Sequence, residues 1–179
     1  MKTVYTIGYE GTDIERFVKT LNAVGVETVA DVRAVPRSRK KGFSKNTLRE
    51  NLENAGIEYL PVQELGDPKD GREAAKVGDF DRFRMIYSAH ADLPESVAAI
   101  EQLAKVSDEK VVCLLCFERD PKTCHRFIVG ERMGAFGYQM LHLFGDDPER
   151  YVRNREKLPS HPSALKIAQP EFGAEDKLG

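Results

Sequence analysis

Val111-Val112-Cys113-Leu114-Leu115-Cys116-Phe117 is apolar at every position, bounded by Lys110 and by Glu118-Arg119-Asp120-Pro121. A short run with no polar alternation is the pattern of a parallel strand buried on both faces, which requires helices above and below the sheet. The residues just beyond it make the end of that strand chemically dense. Asp120 as N-cap and Pro121 at the first helical position predict a helix at once, placing Cys124, His125 and Arg126 in its opening turns. Open amides and the positive dipole end favour anions and lower thiol pKa values, so this corner reads as part of a ligand site.

The rest of the chain alternates in the same way. Residues 3 to 8 form a first strand, and Thr12-Asp13-Ile14-Glu15 reads as a capping box opening a helix with Ile14, Phe17, Val18 and Leu21 on one face. Val26 to Arg33 form a second strand, Ser44 caps a helix carrying Leu48 and Leu52, and Ile57 to Leu60 form a third strand. Pro61 to Gly78 read as a long polar connection containing Glu64-Leu65-Gly66-Asp67-Pro68. Helices start at Asp79 and at Pro94, and Tyr138 to Leu143 supply a strand after the one at 110–117. The expectation is a three-layer α/β/α fold with a mostly parallel open sheet of about five strands. Residues 1–158 are expected as one α/β domain and 159–179 as an irregular tail.

In such sheets ligands sit beyond the carboxyl ends of the strands. The unusual residues fall there: Gly8-Tyr9-Glu10-Gly11 after the first strand, Asp31 and Arg33 at the second, Leu65-Gly66 after the third, and Cys116 through Arg126. Composition narrows the classes. With 41% hydrophobic and 31% charged residues and no apolar run long enough to span a bilayer, a soluble chain without membrane contact is expected. Met1-Lys2-Thr3-Val4-Tyr5 lacks a secretory pattern and three cysteines form no even framework, so a cytoplasmic location is expected. A net charge of −2 excludes wholesale attraction to nucleic acid, yet Arg33, Arg37, Arg39, Lys40, Lys41, Lys45 and Arg49 make residues 33–49 locally basic.

Alternation puts Cys113 and Cys116 on opposite faces, which argues against a dithiol and for Cys113 as a core residue. Cys124, with His125 and Arg126 adjacent, has the surroundings of a nucleophilic thiolate, though a structural role fits as well. Its spacing to arginine does not match a cysteine-phosphatase loop. Asp31 and Arg33 form either an internal salt bridge or part of the site. Glu10, Asp31 and Glu118 are candidate acid–base carboxylates, Arg33 and Arg126 candidate anion binders, and Tyr9 and Phe43 candidate stacking partners for a planar ligand. His90, His142 and His161 lack metal-like spacing, and no metal site is expected.

Thr6-Ile7-Gly8-Tyr9-Glu10-Gly11, Asp31-Val32-Arg33-x-x-Pro36-x-Ser38, Gly42-Phe43-Ser44-Lys45, Leu65-Gly66, Cys116-x-Glu118 and Cys124-His125-Arg126, in this order, resemble the domain-of-unknown-function family 488 over about residues 3 to 145. The resemblance carries no settled activity and no cofactor; it implies that these motif positions form one shared site. The leading expectation is an enzyme acting on a small anionic, nucleotide- or nucleoside-like compound. Glu118 is its preferred acid–base or nucleophilic group, flanked by Cys116, Asp31 and Cys124. Gly8, Tyr9, Glu10, Arg33, Gly66, His125 and Arg126 surround the ligand, and the loop carrying Ser38, Phe43, Ser44 and Lys45 closes over it. The alternatives are a nucleic-acid-binding or processing module using the basic segment, and a redox sensor pairing Cys116 with Cys124.

Overall fold

The computed structural model describes residues 2–159, so the tail from residue 160, with His161, lies outside the described residues. Five strands, β1 (Lys2–Gly8), β2 (Thr28–Asp31), β3 (Glu58–Pro61), β4 (Val112–Cys116) and β5 (Tyr138–Phe144), form one all-parallel sheet in the order β3-β2-β4-β1-β5. The connections are α1 (Ile14–Ala23), α2 (Lys45–Asn54), α3 (Lys69–Lys76), α4 (Phe80–Ala91), α5 (Pro94–Glu109) and α6 (His125–Met133), with α7 (Pro148–Arg153) after β5. The architecture is the three-layer α/β/α arrangement that the apolar strand at 110–117 demands.

Strand alternation divides the interior in two. Val112 and Leu114 of β4 pack with Ala74, Phe83, Tyr87, Leu103 and Val129, beneath α3, α4, α5 and α6. Cys113 and Leu115 face the other way, with Phe17, Leu21, Leu48, Leu52 and Tyr151 of α1, α2 and α7. Full burial of such Leu and Phe side chains contributes roughly 1.5–3 kcal/mol each. The connections leaving β1 and β2 pass to the second face and those leaving β3 and β4 to the first. The end of β4 therefore lies between two strands whose chains depart to the opposite side, a topological switch point where a crevice must open.

Three local expectations change. The capping side chain of α1 is Asp13, which accepts from Arg16 N at 2.9 Å, while Thr12 Oγ1 donates to Gly145 O at 2.6 Å. The connection at 61–78 holds a 3-10 turn, Gln63–Leu65, and α3, whose polar sequence buries only Gly71 and Ala74 and so leaves no apolar period to read. After Asp120, the chain makes a 3-10 turn, Pro121–Thr123, closed by Cys124 N donating to Pro121 O at 3.1 Å. Cys124 is then extended, as the N-cap residue of α6, and the helix proper begins at His125.

Candidate functional site

The loop after β4 is clamped from two sides. Tyr9 N donates to Cys116 O at 3.3 Å and Glu10 N to Phe117 O at 2.8 Å, prolonging the pairing of β1 with β4 beyond the strand ends. A Cβ on Gly8 would lie 1.7 Å from the Glu118 carbonyl oxygen, so only glycine lets the two segments approach this closely. From the other side Arg126, wholly buried in the first turn of α6, donates through Nη1 to Glu118 O at 2.6 Å, through Nη2 to Arg119 O at 3.2 Å and through Nε to Thr6 Oγ1 at 3.3 Å. Its guanidinium thus holds the backbone that aims Glu118. That is a correction to the expectation of Arg126 as an anion binder: a cation with no exposed surface, engaged by two carbonyls and a hydroxyl, has no free face for a ligand.

Cys116, Glu118, Cys124 and His125 meet inside this clamp. Cys116 Sγ donates to Glu118 Oε2 at 3.2 Å, and His125 Nδ1 lies 3.7 Å from Cys116 Sγ and 3.9 Å from Cys124 Sγ. The far ring nitrogen, Nε2, donates to Val32 O at 2.7 Å, which fixes the tautomer and leaves Nδ1 facing the sulfurs. The Tyr87 ring rests 5.0 Å from the imidazole, and its hydroxyl donates to Leu65 O at 2.6 Å. Cys116 Sγ, Cys124 Sγ and His125 Nδ1 all lie within 4.8 Å of one another.

The electrostatics of the cluster are shared. Burial opposes charge on Cys124, yet the Cys116 thiol, the His125 ring and the Arg126 guanidinium together hold it well below the ordinary thiol value. Cys116 moves the opposite way, raised by the neighbouring Cys124 sulfur and by burial. Burial would lower His125, but the Cys124 sulfur beside it and the Val32 carbonyl raise it to about 9. Burial, reinforced by the neighbouring sulfur of Cys124, lifts Glu118 to about 7. These shifts favour charge on Cys124 and His125 and the neutral forms of Cys116 and Glu118.

A cavity of about 400 Å³ opens on this cluster, walled by Glu10, Asp67, Arg72, Phe80, Phe83, Phe117, Glu118, Cys124 and His125. A second lobe of about 240 Å³ shares Asp67, Arg72, Phe117, Glu118 and His125 with it and extends to Arg37. Asp67 and Arg72 were not among the expected site residues. Asp67 is buried with its Oδ1 lacking a hydrogen-bond partner, and desolvation raises its carboxyl to about 6. The signal for it lay in Leu65-Gly66-Asp67-Pro68, where Gly66 packs so closely that a Cβ would lie 2.5 Å from Ala34 Cα, carrying Asp67 toward β2.

Other expected residues are held apart from the cleft or turned inward. Asp31 and Arg33 form a buried bidentate pair, Nε to Oδ1 at 2.8 Å and Nη2 to Oδ2 at 2.7 Å, with Tyr59 Oη donating to Oδ2 at 2.7 Å and Arg33 Nη1 donating to Phe43 O at 2.8 Å. Asp31 is thus a scaffold carboxylate, and Arg33, though it reaches the smaller lobe, has its guanidinium already occupied. Tyr9 and Phe43 stack on each other, centroids 4.5 Å apart, and both are buried. They brace the loop. Phe43 offers no open face for a planar ligand, which corrects that expectation, whereas Tyr9, stacked on Phe43 and with the Arg33 guanidinium over its ring, still lines the smaller lobe. Ser38 and Ser44 pin the loop by Ser38 N to Ser44 Oγ at 3.1 Å and Ser44 Oγ to Ser38 O at 2.9 Å. Ser44 and Lys45 line a separate groove of about 620 Å³ that adjoins the smaller lobe through Ala34, Val35 and Arg37. Glu10 accepts from Arg119 N at 2.8 Å, and Cys113 is a buried core thiol.

No curated protein and no solved structure matches the chain. Residues 13–133 match the family described as Domain of unknown function DUF488, a span that holds Asp31, Arg33, Asp67, Cys116, Glu118, Cys124, His125 and Arg126 while leaving Gly8, Tyr9 and Glu10 just outside. With more than half of its length matched, the chain belongs to the DUF488 family.

Proposed function

We propose that the protein is an enzyme that takes a small anionic, nucleotide- or nucleoside-like compound into the cleft beyond β1, β2 and β4, and that Glu118 exchanges a proton with it. What supports this reading above all is the meeting of Glu118, Cys124 and His125 on one wall of a cavity large enough for a small metabolite, with Cys116 beside them in the wall of the smaller lobe. The opposite walls suit the ligand class. Phe80, Phe83 and Phe117 offer apolar surface to a flat ring, and Arg37, Arg72 and Lys76 supply cations at the rim in place of the inward-turned Arg33 and Arg126. Arg126 acts as a positioning residue, because it holds the Glu118 carbonyl and so the direction of the carboxyl. Asp31 and Arg33 play the same part for the floor under Tyr9.

A thermal-shift panel of nucleotides, nucleosides and sugar phosphates tests the ligand class, since any compound that prefers the folded state raises its melting temperature. Glu118→Gln keeps the shape and removes the transferable proton. It is expected to retain the thermal shift and to lose turnover of the compound that produced it. Absence of any shift across the panel, or full turnover by Glu118→Gln, would remove the proposal.

A second reading has its own observation. Arg37, Arg39 and Lys41 are exposed in the segment before α2, Arg37 and Lys45 line the groove there, and Arg37 also lines the smaller lobe of the cleft. It suits the phosphates of an oligonucleotide whose terminal residue enters the site. Affinity for short oligonucleotides should then fall steeply between low and moderate salt, and Arg39→Glu with Lys41→Glu should flatten that slope. Binding indifferent to salt would refute it.

A further inference from the structure

We propose that Cys116, Cys124 and His125 hold one zinc-class divalent ion through Sγ, Sγ and Nδ1, with the fourth position open to the cleft. Two of the three edges between these donors already match one face of a tetrahedron. Metal–sulfur bonds of ~2.3 Å and a metal–nitrogen bond of ~2.0–2.1 Å at tetrahedral angles require sulfur–nitrogen edges of about 3.6 Å. The observed sulfur–nitrogen edges are 3.7 and 3.9 Å, and the sulfur–sulfur edge, within 4.8 Å, closes toward the ~3.8 Å that the same bond lengths require. Spacing hid this arrangement: Cys116 and Cys124-His125 are separated by a loop and a 3-10 turn rather than by the two to four residues of a knuckle.

Three further features point the same way. His125 donates Nε2–H to Val32 O at 2.7 Å, the outer hydrogen bond by which a metal-bound histidine is oriented and its other nitrogen bared. The donors sit on rigid positions, the end of β4 and the N-cap and first residue of α6, and are 5%, 2% and 4% exposed. Two thiolates neutralise a dication, so the loaded cluster carries no net charge into that burial. Sulfur and imidazole donors select a zinc-class ion over magnesium or calcium.

Binding exchanges protons for metal: each cysteine bound as thiol releases one proton as its sulfur–metal bond forms, and a charged His125 ring releases its Nδ1 proton as the nitrogen–metal bond forms, all of them passing to solvent. Glu118 Oε2 lies 3.2 Å from Cys116 Sγ, at the edge of the ligand set. Three protein ligands and one open position are the pattern of a catalytic rather than a structural ion. Water in that position would be acidified beside Glu118. The role of the open position rests on the proposed enzymatic cleft; the three ligands do not.

The test uses the full chain, purified under reducing conditions, stripped with chelator and titrated with Zn²⁺ and Co²⁺. One equivalent should bind, and cobalt should develop thiolate charge-transfer absorption in the near ultraviolet with visible bands of a tetrahedral centre. Cys124→Ser preserves a good N-cap and should fold. It should lower affinity by more than the ~10–100-fold typical of losing an outer-shell partner. Cys116→Ala should do likewise, with far-ultraviolet circular dichroism confirming both folds, whereas Cys113→Ala should leave the cobalt spectrum unchanged. Binding well below one equivalent, a cobalt spectrum indifferent to Cys116 and Cys124, or a Cys116–Cys124 disulfide in a chain that takes up no metal would overturn the proposal. If stripped protein that refuses metal still responds to the ligand panel, the ion falls and the enzymatic cleft stands. One equivalent of metal with no ligand response supports the ion and removes the enzymatic cleft.

Discussion

Replacing Arg33 by methionine separates a scaffold ion pair from a ligand-binding arginine. The Arg33 and Asp31 side chains are 5% and 1% exposed. Methionine keeps most of the length and the apolar stem but removes the two hydrogen bonds to Asp31 and the one to Phe43 O. Breaking a buried pair by deleting one partner costs ~3–5 kcal/mol, and the orphaned Phe43 carbonyl adds ~1 kcal/mol. Two contacts remain to soften the loss, Tyr59 Oη at 2.7 Å and the Arg33 amide at 3.1 Å from the Asp31 carboxylate. The expected destabilisation is therefore about 3–4 kcal/mol, read as a lower urea midpoint at unchanged slope. For a chain of this size it corresponds to roughly 6–16 °C in melting temperature. Because most of the cost is the stranded carboxylate, Asp31→Asn combined with Arg33→Met should recover about half of it. A single variant losing less than ~1 kcal/mol, or a double variant as unstable as the sum of the singles, would refute the buried-pair account. Lost ligand affinity at full stability would return Arg33 to the binding role first expected of it.

Gly8→Ala forces a Cβ against the Glu118 carbonyl, 1.7 Å away, and a backbone atom cannot yield as a flexible side chain does; solubility or melting temperature should fall sharply, and an unchanged melting curve would mean that β1 and the β4 loop are not in close contact. Arg126→Met should cost about 2–4 kcal/mol, by loss of charge-assisted bonds to two carbonyls, and in a folded preparation should reduce turnover more than ligand affinity, because the aim of Glu118 changes while the cleft walls remain; equal losses in the two would argue against a positioning role. Asp67→Asn should stabilise the metal-free chain at neutral pH. Burial holds the Asp67 carboxyl near 6, above the ~3.9 of an unfolded chain, so the native state binds the extra proton and its stability falls as pH rises from about 4 to 6. Asparagine escapes that loss, a gain of up to ~3 kcal/mol at pH 8 that shrinks to nothing near pH 4; denaturation at the two pH values, with the same gain at both, would show the account to be wrong.

The fold was legible where period and apolar content were extreme. The unbroken run at 111–117 demanded a two-sided parallel strand, and the helices built on Phe17, Leu48, Phe83 and Leu103 announced themselves by their spacing. α3 was not legible, since Lys69-Asp70-Gly71-Arg72 is polar and the helix is held by packing that only the tertiary structure supplies. Site residues divide along the same line. Residue type located the cluster around Cys116, Glu118, Cys124 and His125, because reactive side chains at a strand end are rare. Residue type could not say which way Arg33, Arg126, Tyr9 and Phe43 turn. An arginine at a strand end looks alike in sequence whether it meets solvent, a ligand or the backbone of its own loop. Only the neighbouring carbonyls of Phe43, Glu118 and Arg119 distinguish these cases.

Those inward arginines explain why a loop-built cluster can be exact in its geometry. The three loops that meet here, after β1, β2 and β4, are anchored by a few buried side chains such as Tyr9, Val32 and Phe43, and charge-assisted bonds to backbone carbonyls fix the rest. Arg126 ties the Glu118 segment to α6, and Arg33 ties the Phe43 loop to β2. Val32 O, between Asp31 and Arg33, receives Nε2–H from His125. The segment that carries the ion pair thus also sets the imidazole of the cluster, so that the floor of the cleft and its reactive wall share one strand end. Disturbing Asp31 or Arg33 should consequently be felt at His125 Nδ1 through the position of that single carbonyl.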